Sequence, residues 1–310
     1  MIKVKSSLEI RQAAWHRLFA EHWFGVLLYG AILIGLCGGL IKSVASGIIA
    51  GFHVLTLKEA VLNAAAHGGF DPSALMSDGT AVFQIVSSFA LDTFFSMVVG
   101  GIVAYGFAAL QLRCLADDRR DWLKAVFGGF ARPLELAWLM FRQSLVFVGW
   151  GLLGSVPLIA CGMVVYALTD GAETVPEMST CGVCGLAGAV SMLVAFAVLL
   201  VPFYRYRFIF LVKAEHPEMG AGECMRTCRG LMNGHAMESF RLDCSYWRPI
   251  TLLLVLFCGI AFCAECGGEP LLILPFILVL LMAALAVSVV LGQYLSLGQA
   301  MFYEEIRRSE

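Results

Sequence analysis

Six long apolar segments alternate with polar loops, and this alternation constrains the fold more than any other feature of the chain. A helix needs about 20 mostly apolar residues to cross the hydrocarbon core of a bilayer. Lipid offers no hydrogen-bond partner to the backbone, so each segment is predicted to be helical. The pattern predicts an all-α, polytopic transmembrane six-helix bundle, with residues 1–310 as one integral membrane domain. The segments lie at about 23–48, 82–112, 134–168, 183–211, 250–264 and 271–301.

The composition agrees with a membrane-embedded chain. Of its residues, 60% are hydrophobic and 14% are charged, whereas soluble domains contain about 45–50% apolar and about 25% charged residues. A single large soluble globule is therefore excluded. The net charge of −2 is too small to indicate nucleic acid as a partner.

Lys and Arg residues are divided very unequally between the two sides of this arrangement. Eighteen of the 21 lie in the N-terminal segment, the second and fourth loops and the C-terminus, whereas the opposite side carries only Lys58. Lys42 and Arg142 lie inside or at the edge of apolar segments. Cytoplasmic loops are enriched in Lys and Arg, which predicts a multi-pass protein of the bacterial cytoplasmic (inner) membrane with both termini cytoplasmic. The first apolar segment is too long for a cleaved signal peptide and is expected to remain as an anchor.

Three polar stretches are predicted to form helices on the cytoplasmic side. Residues 1–22 form an amphipathic lead-in, which lies either in the membrane interface or in solvent. Residues 118–143 indicate a second interfacial helix or a re-entrant turn. The loop 213–248 is long enough for one or two surface helices, with Pro217 near a helix start and Gly234 suited to a helix end. The side chains expected to gather on one side of the lead-in are Leu8, Ala14, Trp15, Leu18, Phe19 and Trp23.

The second half of the chain carries a set of aromatic and glycine-containing motifs. An apolar segment ending at Val201-Pro202 is followed by FYRYRFIFLVKAEHPEM and then by ECMRTCRGLMNGHAMESFRLDCSYW. These motifs resemble the DUF975 family of uncharacterised bacterial integral membrane proteins. The chain departs from that pattern at Cys228, where the family commonly has Ser. The resemblance implies a six-helix membrane protein and no established activity. The positions that match the family signature are Pro202, Leu231, Met232, Gly234, Phe240, Ser245, Trp247 and Tyr303.

Two Cys-x-x-Cys pairs are predicted to lie on the face opposite the basic loops. They are Cys181 with Cys184 and Cys263 with Cys266. In an oxidising periplasm they would form disulfides. Four thiolates would also suit a tetrahedral zinc, and each pair alone would suit a redox centre. The remaining interpretation is that these cysteines serve as small apolar residues in membrane helices.

Other polar residues within or near the apolar segments offer further sites. Cys224, Cys228 and His235 suggest a metal site, although two cysteines four residues apart also suit ordinary helix packing. Asp92 and Arg142 lie at different predicted depths, so Arg142 is expected to reach towards the cytoplasmic interface rather than pair with Asp92. Small residues spaced four apart, such as Gly35 and Gly39, predict close helix packing, with dimerisation as the alternative.

No nucleotide-binding, zinc-protease or serine-hydrolase motif is present in the sequence. The chain is therefore predicted to be non-enzymatic and without a cofactor, with a structural or partner-binding role. The expected partners are the lipid bilayer and either a second copy or other membrane proteins. Two alternatives stay open. One is a thiol redox or metal-binding protein that uses the outer cysteines. The other is a transporter or channel for a small or lipidic solute, with a polar cavity lined by Gln84, Asp92, Gln143 or Gln293.

Overall fold

The computed structural model describes the backbone of residues 6–66, 79–169, 178–265 and 270–309. Side chains are described over 6–44, 89–164, 186–259 and 277–309, and at positions 47, 87 and 275. Within these ranges every regular element is helical. The elements are α1 (Ser7–Phe19), α2 (Trp23–Ala66), α3 (Gly79–Leu115), α4 (Trp122–Phe127), a 3₁₀ turn (Gly128–Ala131), α5 (Pro133–Thr169), α6 (Met178–Arg205), α7 (Ile209–Glu215), α8 (Ala221–Leu231), α9 (Ala236–Ser245), α10 (Trp247–Glu265) and α11 (Pro270–Ser309).

Five helices in the described part of the chain are long and apolar enough to cross a membrane. A sixth is added if α9 and α10, which meet at a bend of 51°, together form one span. The prediction of an all-α chain is thus confirmed, with five to six candidate spans. The short fifth apolar segment corresponds to α10, whose 19 residues cover about 28 Å at the rise of an α-helix. The five candidate spans are Trp23–Val44, Phe89–Leu115, Pro133–Val164, Leu186–Glu215 and Ile277–Ser309.

Backbone contacts divide the chain into two units. The central unit is Gly25–Phe141, and the terminal unit combines Met1–Phe24 with Arg142–Glu310. We describe each unit by itself. That all 310 residues form one membrane domain remains a prediction.

Glycines allow the helices of the central unit to approach closely. A Cβ atom at Gly106 of α3 would stand 2.5 Å from the backbone oxygen of Val126 in α4. A Cβ at Gly101 would stand 2.9 Å from the backbone oxygen of Leu136 at the start of α5. Real Cβ atoms do not tolerate such distances, so these helices can be this close only because the side chains are absent.

The glycine pair that the sequence indicated is not the pair that packs. Among the described residues, a Cβ at Gly35 or Gly39 would meet no atom within 4 Å, whereas one at Gly38 would stand 2.8 Å from Val103. Gly30 similarly faces Leu110. The prediction that Gly35 and Gly39 pack internally was therefore wrong, and Gly30 and Gly38 of the same helix pack instead. Four-residue spacing identifies a helix face but not the neighbour that the face meets.

In the terminal unit, α1 packs on α9 and α11, and α10 packs on α11. Helix α1 begins with a capping box, in which the Glu9 amide donates to Ser6 Oγ at 3.4 Å and the Ser6 amide donates to Glu9 Oε2 at 2.9 Å. This arrangement satisfies amide groups that have no partner inside the helix. Its buried face consists of Ile10, Ala14 and Leu18, at the four-residue spacing of one helix face.

The apolar face predicted for the lead-in helix is only partly correct. Ala14, Leu18 and Trp23 are buried, but Leu8 and Trp15 are each about half exposed, at 52% and 50%. Ile10, which the sequence pattern did not single out, is buried in place of Leu8. Packing against α9 and α11 selects the face, and the composition of α1 alone does not.

The loop 213–248 forms two surface helices, as predicted. Helix α8 ends at Leu231, and Gly234 follows with a φ of 90°. This left-handed conformation is one that glycine adopts without steric cost, which explains Gly234 at the end of the helix. Pro217 does not start a helix: α8 begins at Ala221 after the N-cap Gly220, and the Pro217 carbonyl accepts a hydrogen bond from Lys213 instead.

Gly106→Ala tests the close approach between α3 and α4. The added methyl group would collide with the Val126 carbonyl, so we expect a loss of about 1–3 kcal/mol in unfolding free energy. Gly35→Ala is the matched control, because it also lies in a helix and faces open space. Alanine is the better helix former by about 0.5–1 kcal/mol, so the control should be neutral or stabilising. Thermal unfolding in detergent measures both, and equal melting temperatures for the two variants would contradict the packing.

Candidate functional site

A buried ion pair connects the turn after α6 to α9. The Arg207 guanidinium donates from Nη1 to Asp243 Oδ2 at 2.5 Å and from Nη2 to Asp243 Oδ1 at 2.8 Å. The Arg207 side chain is 9% exposed and that of Asp243 is 22% exposed. Two parallel bonds of this kind match the planar shapes of both groups and define their relative orientation.

Neighbouring polar and aromatic groups complete this pair. Tyr204 Oη donates to Asp243 Oδ2 at 2.8 Å, and Arg207 Nη1 also reaches Ser239 Oγ at 3.1 Å. The guanidinium carbon of Arg207 lies 5.5 Å from the Phe203 ring centre and 5.4 Å from that of Tyr204. These distances are within the range of cation–π attraction. The side chains of this cluster thus bond to one another, as expected for a cluster that stabilises the fold.

A second polar group attaches α7 to the end of α11. Tyr303 Oη donates to Glu215 Oε2 at 2.6 Å, and Arg307 pairs with Glu215 Oε1. Lys213 is buried and donates to the carbonyl oxygens of Pro217 and Met219 at 2.8 and 2.7 Å. The C-terminal end of α11 is therefore a packed part of the terminal unit.

The two thiols of α8 are buried against the preceding turns. Cys224 Sγ points to the Met219 carbonyl and Cys228 Sγ to the Arg205 carbonyl, at 3.8 and 3.4 Å. Burial raises the pKa of Cys224 and raises that of Cys228 to about 12. A cysteine binds a metal ion as its thiolate, and a raised pKa disfavours that form. Among the described residues, no group of three or more His, Cys, Asp or Glu side chains is arranged to hold a metal ion. Helix packing therefore accounts for these two cysteines better than the metal interpretation does.

A pocket of about 510 Å³ lies where α1, α10 and α11 meet, entirely within the terminal unit. Helix α11 supplies an apolar wall, while Arg11 and Trp15 of α1 and Arg248 of α10 supply the other sides. Arg11 Nη1 donates to the Ser245 carbonyl at 2.5 Å, and Tyr294 Oη donates to the Arg11 carbonyl at 3.2 Å. The lining residues from α10 and α11 are Arg248, Pro249, Ala286, Val287, Val290, Leu291 and Tyr294.

The outer cysteine pairs lie outside the side chains that the structure describes. Cys181, Cys184 and Cys263 fall in helical segments without described side chains, and Cys266 lies outside the described backbone. Disulfide, metal, redox and packing interpretations of these four cysteines all stay predictions.

The family-signature positions all lie in the terminal unit, but in three different settings. Pro202, Leu231, Met232 and Tyr303 are buried. Phe240 and Trp247 are exposed, although Phe240 makes an edge-to-face contact with Tyr204 at 5.9 Å. Ser245 and Gly234 act through the backbone, Ser245 as the acceptor for Arg11 and Gly234 through its positive φ.

The residues proposed to line a polar cavity are not brought together in the described pocket. Asp92 is exposed, and the side chain of Gln84 lies outside the described residues. Gln143 and Gln293 each bury a side-chain carbonyl oxygen that finds no hydrogen-bond partner in the described part of the chain. Arg142 reaches α8 beside Gly222, which agrees with the prediction that its long side chain extends towards the basic loops.

Sequence reasoning did not identify the Arg207–Asp243 pair or the pocket. The two partners of the pair are 36 residues apart, and nothing in their local sequence distinguishes them from solvated charges. The run of Phe203, Tyr204 and Arg207 was a usable signal, because aromatic rings beside an arginine favour a buried guanidinium. The pocket combines residues from both ends of the chain, which no local pattern reveals.

Comparison with known proteins finds no family model, no curated protein and no solved structure that matches this chain. The resemblance to the DUF975 family therefore stays a prediction.

Asp243→Asn tests the structural role of the ion pair. It would leave Arg207 buried without a compensating charge, and we expect the unfolding free energy to fall by about 3 kcal/mol. Tyr204→Phe, which removes only one hydrogen bond to the same carboxylate, should cost about 1 kcal/mol. The double variant Arg207→Met, Asp243→Leu should recover much of the loss. Chemical denaturation in detergent measures these differences, and equal losses for Asp243→Asn and Tyr204→Phe would contradict the assignment.

Cys228 should be almost unreactive in the folded protein. With a pKa of about 12, roughly one thiol in ten thousand is ionised at pH 8, and the thiolate is the reactive form. Cys244, which is exposed at the end of α9, is the control. In variants that retain one of these cysteines, we expect maleimide to label Cys244 in the folded state and Cys228 only after denaturation. Equal labelling rates would show that α8 does not stay packed.

Proposed function

We propose that this chain is a non-enzymatic, multi-pass protein of the bacterial cytoplasmic membrane, with both termini inside and a structural or partner-binding role. The observation that carries the proposal is the separation of two kinds of surface. Long helices present apolar side chains outwards, whereas short helices rich in Arg and Lys are held together by buried polar bonds at one end of the terminal unit. Membership of the DUF975 family is part of the same proposal.

The outward faces of the long helices support insertion into lipid. Leu152 of α5, Leu193 of α6 and Val279 of α11 are each more than half exposed. Soluble proteins rarely expose extended apolar surface of this kind. In a bilayer these side chains would contact acyl chains, so their exposure would carry no cost.

The short helices support a role as a rigid platform at the basic side. Arg207 with Asp243 and Glu215 with Tyr303 connect α7, α9 and α11 through their side chains. Groups that bond to each other in this way are positioned for stability rather than for chemistry on a substrate. The excess of basic residues at this end favours the cytoplasmic side.

Reporter fusions test the membrane arrangement. Fluorescent protein fused after residue 310 should fold and fluoresce, and alkaline phosphatase at the same site should be inactive, because the C-terminus is expected to lie in the cytoplasm. Phosphatase inserted in the loop 170–177 should be active. The protein should also stay in the membrane fraction through an alkaline wash. Release by that wash, or the reverse reporter pattern, would contradict the proposal.

Transport of a small solute is the second candidate, and the buried oxygens of Gln143 and Gln293 favour it. A buried carbonyl without a protein partner either costs about 1–3 kcal/mol or is satisfied by water or solute in a passage. These two oxygens are the observation that favours transport as a second candidate.

Gln293→Leu separates the two candidates. If the bundle is purely structural, leucine removes an unsatisfied polar atom, and we expect a higher melting temperature. If the oxygen binds water or solute, the substitution should lower the melting temperature. Gln299→Leu on the same helix is the control for added apolar surface. Thermal unfolding in detergent measures both variants, and a drop confined to Gln293→Leu would favour transport over the structural role.

A further inference from the structure

The pocket between α1, α10 and α11 is polar at one end and apolar at the other. Tyr294 donates to the Arg11 carbonyl, which places Arg11 at the level of Tyr294 along α11. Ala286, on the same wall, lies eight residues away, or about 12 Å along the helix. The Arg11 guanidinium bonds to the carbonyl of Ser245, whose neighbour Tyr246 contacts Tyr294 with 4.8 Å between ring centres, so this guanidinium lies at the Tyr294 end of the wall. Arg248 lines the same pocket, and aliphatic side chains of α11 form the rest of the wall.

The depth of this pocket in the proposed membrane follows from α10. Its 19 residues are just sufficient to cross the hydrocarbon core, so Arg248 at its second position lies at the boundary with the headgroups. Trp247 and Trp15 beside it are each at least half exposed, as is typical of tryptophans at a membrane–water interface. The aliphatic end of the wall then extends into the acyl-chain region.

In the described residues, Arg11 and Arg248 form no ion pair with a carboxylate. Arg11 uses one nitrogen on the Ser245 carbonyl, which orients its guanidinium and leaves further N–H groups for another acceptor. Arg248 lies over the Trp247 ring, with 5.9 Å between its guanidinium carbon and the ring centre. Two guanidinium groups beside one pocket attract an oxyanion, and a phosphate has enough oxygens to accept hydrogen bonds from both of them.

The two ends of the pocket together restrict the class of ligand. A free phosphate would use the arginines but leave the wall of Val287 and Val290 without a partner. A neutral hydrocarbon would use the wall but leave the two charges uncompensated. An amphiphile with a phosphate next to an acyl chain satisfies both ends, and the volume of about 510 Å³ is within the range of pockets that hold ligands of moderate size.

We infer that this pocket binds one anionic glycerophospholipid of the surrounding bilayer. Its phosphate lies between Arg11 and Arg248, and part of one acyl chain lies along Val290 and Ala286. The inference rests on the proposed function, because only a membrane-inserted chain meets such a lipid at this depth. Bound in this way, the lipid bridges α1 to the α10–α11 hairpin and contributes to holding the lead-in helix in place.

Native mass spectrometry of the full chain in detergent tests this binding. The probes are dioleoyl phosphatidylglycerol, dioleoyl phosphatidylcholine and soluble glycerol 3-phosphate. We expect phosphatidylglycerol to bind about tenfold more tightly than phosphatidylcholine, and Arg248→Gln to remove most of that difference, since charge-assisted hydrogen bonds are stronger than neutral ones. Arg248 makes no hydrogen bond within the described chain, so this variant should fold normally.

Two further variants keep the test specific. Arg226→Gln in α8 removes an exposed arginine outside the pocket, and it should leave lipid binding unchanged. Val290→Trp fills the apolar end, and it should weaken phosphatidylglycerol and phosphatidylcholine alike. Melting temperatures identify any variant that fails to fold.

The inference is overturned by any of three results. The first is an equal affinity of phosphatidylglycerol for the wild type and for folded Arg248→Gln. Phosphatidylcholine could bind as tightly as phosphatidylglycerol. Glycerol 3-phosphate could displace the lipid at equal concentration, which would assign the site to a soluble phosphate. These outcomes are independent of the membrane arrangement, because reporter activity and the alkaline wash test that arrangement without any added lipid.

Discussion

A buried charge needs a compensating partner, and Arg207 and Asp243 meet this need for each other. Their bidentate pair joins the end of α6 to α9. The last residue of α9, Ser245, then offers its carbonyl to Arg11 of α1. The placement of the N-terminal helix thus depends, through α9, on a charge pair from the second half of the chain. The arginine-lined pocket exists because α1 is held in this position against α11.

Different interactions hold the helices together in the two units. In the central unit, Gly101 and Gly106 allow the backbone of α3 to approach the backbones of α4 and α5 closely. In the bilayer that we propose for this chain, helices gain little hydrophobic free energy from association, so close van der Waals contact has to supply the attraction. In the terminal unit, ion pairs and hydrogen bonds connect short helices that carry too little apolar surface to pack by burial alone. These directional polar bonds define how the short basic helices of the terminal unit pack against one another, which apolar contacts alone would not do.

Much of the architecture could be predicted from the sequence, and the errors share one cause. Each predicted apolar segment overlaps a long helix, although α2 continues past position 48 to Ala66 and α6 ends at Arg205 rather than at position 211. Helices α8 and α9 lie in the predicted surface loop. These agreements arise because length and composition act locally. Gly234 was correctly placed at a helix end, since its positive φ is a property of one residue. The packing role given to Gly35 and Gly39 was wrong, and so was the buried face of α1. In both cases the helix was correct, but the neighbour selects which face is buried.

The sequence by itself determined the all-α class and the places of the long apolar helices along the chain, because both follow from the solvation of a local stretch of chain. Only the tertiary structure decided which charged side chains form ion pairs with each other and which line a pocket. Arg207 and Arg248 are both arginines on the basic side of the chain, yet one is buried against Asp243 and the other lines an open pocket. Burial and partner choice depend on residues that are distant in sequence, and the free energy of a charge depends on the partner that folding brings to it.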